Sequence, residues 1–176
     1  SVHATGVAID DLSAVNQNSY VEEVSFDKNG VSDVSFFADL TVEEADLALQ
    51  YANESDYQSM VDGSLTVEDT LEKLFAHPEL IEFVSAYSIT SWSGDAYPAG
   101  ITDLGSFTVE QAGIYYGADN FVSPENANPG PDYVIEDTAK AISDGVNSTD
   151  ANLANGIFAA TSVIADGGVA VKMDAA

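Results

Sequence analysis

A chain of 176 residues has the length of one ordinary domain, and with 45% hydrophobic and 10% aromatic residues it can fill a core. Against 30 aspartates and glutamates stand four lysines (Lys28, Lys73, Lys140, Lys172) and no arginine, for a formal net charge of −26. Affinity for phosphate backbones and anionic lipid comes from Lys and Arg that release counterions, so nucleic acid is excluded as a partner bound through a basic surface, and acidic membrane with it.

A folded chain of that charge repels itself, and it gains from salt that shortens the Debye length or from cations that bind. Brine and a calcium-rich exterior are the two settings that suit it. No cysteine is present, so there is no disulfide, thiolate metal site or thiol nucleophile. No run approaches the roughly 20 apolar residues of a membrane span, and Ser1 to Asp10 lack the basic and apolar regions of a signal peptide.

In chain order, Val7 and Ile9 suggest a short strand that ends at Asp10-Asp11. Glu22, Val24 and Phe26 alternate with Glu23, Ser25 and Asp27. Asp27-Lys28-Asn29-Gly30 then leads into Val31 to Phe37, so the segment reads as a β-hairpin around an Asn-Gly turn. A short phrase recurs next, at Leu40–Ala45, Leu65–Thr70 and Phe107–Ala112. Each copy places Thr (Thr41, Thr66, Thr108) where a helix N-cap would stand, with an acid or amide three residues on. Because the downstream segments diverge, the phrase is read as three convergent helix starts and not as an internal repeat.

Apolar stripes predict helices from Val42 to about Asn53 and from Val67 to Ala76, and Pro78 begins a fresh helix reaching Tyr87. Ser88 to Leu104 reads as a strand leaving for a loop, and about 121–131, with Pro124, Pro129 and Pro131, as a proline-rich loop. A helix is expected from about Asp132 to Asp144. A closing hairpin, Ile157–Ala165 with Val169, Val171 and Met173, completes the chain. The fold expected is α+β in a single domain, 1–176: an antiparallel sheet built from N-terminal and C-terminal hairpins with a helical middle segment at about 41–87.

The chemistry is sparse. Serine-hydrolase, phosphate-loop, dinucleotide and zinc-protease motifs are absent, and the two histidines are His3 and His77. No catalytic residue is assigned, and no cofactor other than calcium. Calcium takes oxygen ligands on loops, which makes Asp119, Glu125, Asn126, Asn128 and Asp132 candidate ligands, with Asp144, Asn147 and Asp150 as a second group. Both groups are also ordinary turn residues. Trp92, Tyr97, Tyr115 and Tyr116, with Phe121, form a candidate platform for a sugar or a partner, against the reading that they cap a core.

The function expected is that of a structural protein, a subunit of an extracellular or virion assembly in a high-salt or calcium-rich setting, with copies of itself or other assembly subunits as partners. Two alternatives remain open: a secreted binding module for calcium, a sugar or a small ligand, and a carboxylate-dependent hydrolase.

Overall fold

The computed structural model describes residues 2–90, 103–121, 132–166 and 169–171. Its contacts divide the chain into two units, Ser1–Tyr87 and Ser88–Ala176.

In the first unit, β1 (Val2–Val7) leads through a 3₁₀ turn at Ile9–Asp11 and α1 (Leu12–Asn16) into β2 (Val21–Phe26). The two strands pair in parallel, with Ala4 opposite Val24. A helical crossover between them is what a parallel pair requires. Val24 and Phe26 alternate into the core, as the period of a strand demands. Next come α2 (Asp33–Phe36), α3 (Val42–Tyr51), α4 (Glu54–Ser59) and a wide turn at Met60–Ser64 in which Gly63 takes φ +115°. β3 (Thr66–Asp69), α5 (Leu71–Ala76) and α6 (Pro78–Ile81) follow, and β4 (Ala86–Ile89) runs across the boundary at Tyr87. Leu40 bridges Val67 in parallel, and β3 pairs with β4.

The second unit holds β5 (Asp103–Phe107), α7 (Val109–Gly117), β6 (Asp132–Asp137), α8 (Ala139–Val146), α9 (Ala151–Ala159), β7 (Ser162–Ala165) and β8 (Val169–Val171). One sheet runs in the order β5-β6-β7-β8. The pairs β5–β6 and β6–β7 are parallel, and β8 adds an antiparallel edge. Tyr133 stacks on Phe107 at 5.1 Å and meets Tyr115 edge-on at 5.4 Å. The buried Tyr133 hydroxyl donates to the Gly156 carbonyl at 2.5 Å, so a polar tip is satisfied inside an aromatic core.

The α+β class stands, but the expected antiparallel sheet of hairpins does not form: the N-terminal hairpin is absent, and the C-terminal one, β7–β8, is only the antiparallel edge of a sheet whose other pairs are parallel. The Asn-Gly turn is present: Asn29 and Gly30 have φ +46° and +80°, and Val31 N–H donates to the Lys28 carbonyl at 2.7 Å. Beyond it the chain enters the helical turn of α2 instead of a strand. Phe36 and Phe37 are adjacent, and a strand would send them to opposite faces. The turn of α2 brings both rings to Phe26, at 5.7 and 5.5 Å.

Further expectations change as well: Ile157, expected to open the closing hairpin, belongs to α9, and the first strand of that hairpin is β7, from Ser162. Thr66 lies in β3 and caps no helix, because Leu65 and Val67 alternate into the core. The helix begins one strand later, at the N-cap Thr70. The segment expected to open a helix at Asp132 is β6, in which Tyr133 and Ile135 are buried and the helix waits for Thr138. The helix begun by Pro78 ends at Ile81, and Tyr87 belongs to β4. The proline-rich loop lies outside the described residues but for Phe121.

Candidate functional site

The densest polar construction in the first unit surrounds Lys28. Its ammonium lies 2.6 Å from Asp33 Oδ1 and 2.6 Å from Asp56 Oδ1, and it stands 5.2 Å from the centre of the Phe37 ring. Asp56 is buried, a state that a carboxylate tolerates only with partners. Its other oxygen accepts from Asn53 Nδ2 at 2.7 Å and from the Phe26 N–H at 3.3 Å. Asn53 in turn caps α4 by accepting from the N–H groups of Ser55 and Asp56. Ser59 donates to Asp33 at 2.7 Å.

Burial disfavours the Lys28 charge, but hydrogen bonds and charge from Asp33 and Asp56 outweigh it and hold the ammonium above its ordinary pKa. Hydrogen bonds from Lys28 and Ser59 hold Asp33 below the usual carboxylate range. The cluster joins the Asn-Gly turn, α2 and α4, and its charges answer one another.

The other described lysines are also engaged. Lys73 lies 3.6 Å from Asp69, and Lys140 pairs with Asp144 one helical turn on. All three therefore face aspartates of their own unit, and the remaining carboxylates dominate the exterior.

Of the expected calcium ligands, Asp119 is exposed in the turn after α7, and Asp132 is exposed at the start of β6, opposite Asp103. Glu125, Asn126 and Asn128 lie outside the described residues. In the second group, Asp144 holds Lys140, Asn147 donates to the Ser143 carbonyl at 2.7 Å, and Asp150 caps α9 through the Asn152 N–H at 2.8 Å. These bonds are helix-end and turn chemistry. Among the described residues no group of three or more His, Asp or Glu side chains is placed to hold a metal ion. A half-open cavity of about 230 Å³ is lined by Ile9, Asp10, Leu12, Ser13, Thr41, Glu43, Glu44 and Leu47. Within it Glu44 is occupied by the capping box of Thr41.

Of the aromatic platform, Trp92 and Tyr97 lie outside the described residues. Tyr115 is fully buried between Phe107, Tyr133 and Phe121, a core position. Tyr116 is half-buried, with its ring 4.5 Å from Phe121. His77 is half-exposed between α5 and α6, with Nδ1 3.3 Å from a Glu79 oxygen. Read from sequence, Lys28 is only a turn residue. Its rarity as one of four cations is the signal that could have marked it, although nothing local points to Asp56.

Among the described residues no helix is long and apolar enough to cross a membrane. No protein-family profile, curated protein or solved structure matches the chain.

Proposed function

We propose that this chain is a structural protein, a subunit of an extracellular or virion assembly that works in a high-salt or calcium-rich setting, with copies of itself or sister subunits as partners. The observation that carries this reading is the fate of the lysines. Lys28, Lys73 and Lys140 each pair with an aspartate inside their own unit, so acid prevails on the surface offered to another molecule. Such surfaces approach one another only when dissolved cations screen them. In this reading the charge is a distributed field and no single carboxylate cluster is its purpose.

Light scattering on the size-fractionated chain, from low to molar sodium chloride, tests the reading. The mass is expected to climb from one chain to a defined multiple or a polymer as salt rises. A single-chain mass at every salt and protein concentration would contradict it.

A further inference from the structure

We propose that the two units are copies of one duplicated strand–helix element, in which Asp69 and Asp137 are equivalent positioning residues. The duplication rests on geometry alone and stands apart from the assembly reading.

Convergent capping accounts for a Thr at a helix start and nothing more. Here the correspondence continues far past the cap. Thr41 and Thr108 each close a capping box, with Glu44 and Gln111. In both units the N–H of the first helical residue donates across the sheet to an aspartate that ends the next strand: Val42 to Asp69 Oδ2 at 3.1 Å, Val109 to Asp137 Oδ2 at 3.0 Å. The second oxygen of each aspartate accepts from the following threonine N–H, Thr70 or Thr138, at 2.7 Å in both cases. That threonine then caps the next helix in both.

Two more details recur that no helix cap requires. The Leu65 carbonyl accepts from both the N–H and the hydroxyl of Ser85, each at 2.9 Å, and the Tyr133 carbonyl accepts from the N–H and the hydroxyl of Thr161 at 3.0 and 2.9 Å. Asn53 and Asn120 each send Nδ2 to the carbonyl of a preceding strand, Val24 at 3.3 Å and Ile89 at 2.9 Å. Buried positions keep the same register, with Val42 answering Val109, Ala45 answering Ala112 and Leu74 answering Ile142.

The spacing behaves as a duplication with insertions. It is 67 residues at Thr41/Thr108 and Asn53/Asn120, 68 at Leu65/Tyr133 and Asp69/Asp137, and 76 at Ser85/Thr161. The last step falls where the second unit has α9 and the first has the short α6. Insertions between strands are the places where copies of a repeat drift apart.

Hydrogen exchange on the full chain, read residue by residue by NMR, tests the equivalence. Asp69→Ala is expected to speed exchange at Val42 and Thr70 about tenfold, and Asp137→Ala to do the same at Val109 and Thr138. Asp69→Asn and Asp137→Asn keep the volume and one acceptor oxygen, so they serve where the alanine variants do not fold. In each of these the accelerated amides are expected to belong to the variant's own pair, with the other pair unchanged. Unchanged exchange in both pairs, or a response in one unit only, would overturn the proposal.

Discussion

Thr66 and Thr70 lie four residues apart, and sequence favours Thr66 as the helix start, because it has Asp69 three residues on where Thr70 has Lys73. Burial decides between them. Leu65 and Val67 fill the core in strand alternation, which leaves Thr66 on the outer face, where its Oγ1 accepts from the Asp39 N–H at 2.7 Å. Thr66→Ala is therefore expected to speed amide exchange at Asp39 and leave α5 unchanged, while Thr70→Ala speeds exchange at Lys73, whose N–H its hydroxyl caps. Acceleration along α5 in the Thr66 variant would contradict the placement. At Thr108 the cap could be read from sequence, and Thr108→Ala is expected to cost about 0.5–2 kcal/mol in chemical denaturation.

Lys28 shows a residue whose role sequence conceals, because its partner Asp56 is remote along the chain and only the fold brings them together. Asp56 is buried and Lys28 only partly so, and removing the lysine strands the carboxylate, so Lys28→Met is expected to destabilise the protein by about 1–3 kcal/mol. Acid titration adds a second readout. Asp33 is held below its ordinary pKa, so its contribution is complete above the unfolded-state value and is lost as pH falls through the folded one. Unfolding of Lys28→Met measured from neutral to acid pH is expected to show a shallower loss on that limb than the parent; an equal loss would remove Lys28 as the cause.

Among the elements, helix starts were more legible than strands. Capping is a local pattern, and Thr41 and Thr108 both honour it. Strand pairing is not local: the Asn-Gly turn is real, yet β2 pairs with β1, and the residues after the turn serve an aromatic cluster around Phe26. The same holds for β6, whose Tyr133 and Ile135 alternate in a segment that also reads as helical. The candidate calcium and aromatic sites were legible only as residue types. Tyr115 went to the core, and Asp150 to a helix cap.

Helix packing supplies its own test. A Cβ on Gly156 of α9 would meet the Ala112 carbonyl oxygen of α7 at 2.5 Å and its carbon at 2.6 Å. By helix propensity alone Gly156→Ala would stabilise by about 1 kcal/mol. Contact with backbone, which cannot swing aside, reverses the sign, and a loss of about 1–3 kcal/mol is expected in denaturant unfolding. A stabilised variant would show that α7 and α9 do not pack this closely.

For the whole molecule, the net charge of −26 is the dominant physical fact, and under the proposed function it acts as a distributed field. Screening then governs stability, because the Debye length shrinks from ~10 Å at 0.1 M to ~3 Å at 1 M salt. A bound ion would behave differently, stabilising in a saturable way with the logarithm of its free concentration over its dissociation constant. Magnesium, which sheds water reluctantly and demands octahedral geometry, would not fully replace calcium at such a site. The direct measurement is the thermal melt of the full chain in sodium, magnesium and calcium chlorides matched for ionic strength. Melting temperatures are expected to rise smoothly with ionic strength and to agree among the three salts, and a saturable rise at low millimolar calcium alone would contradict the distributed field.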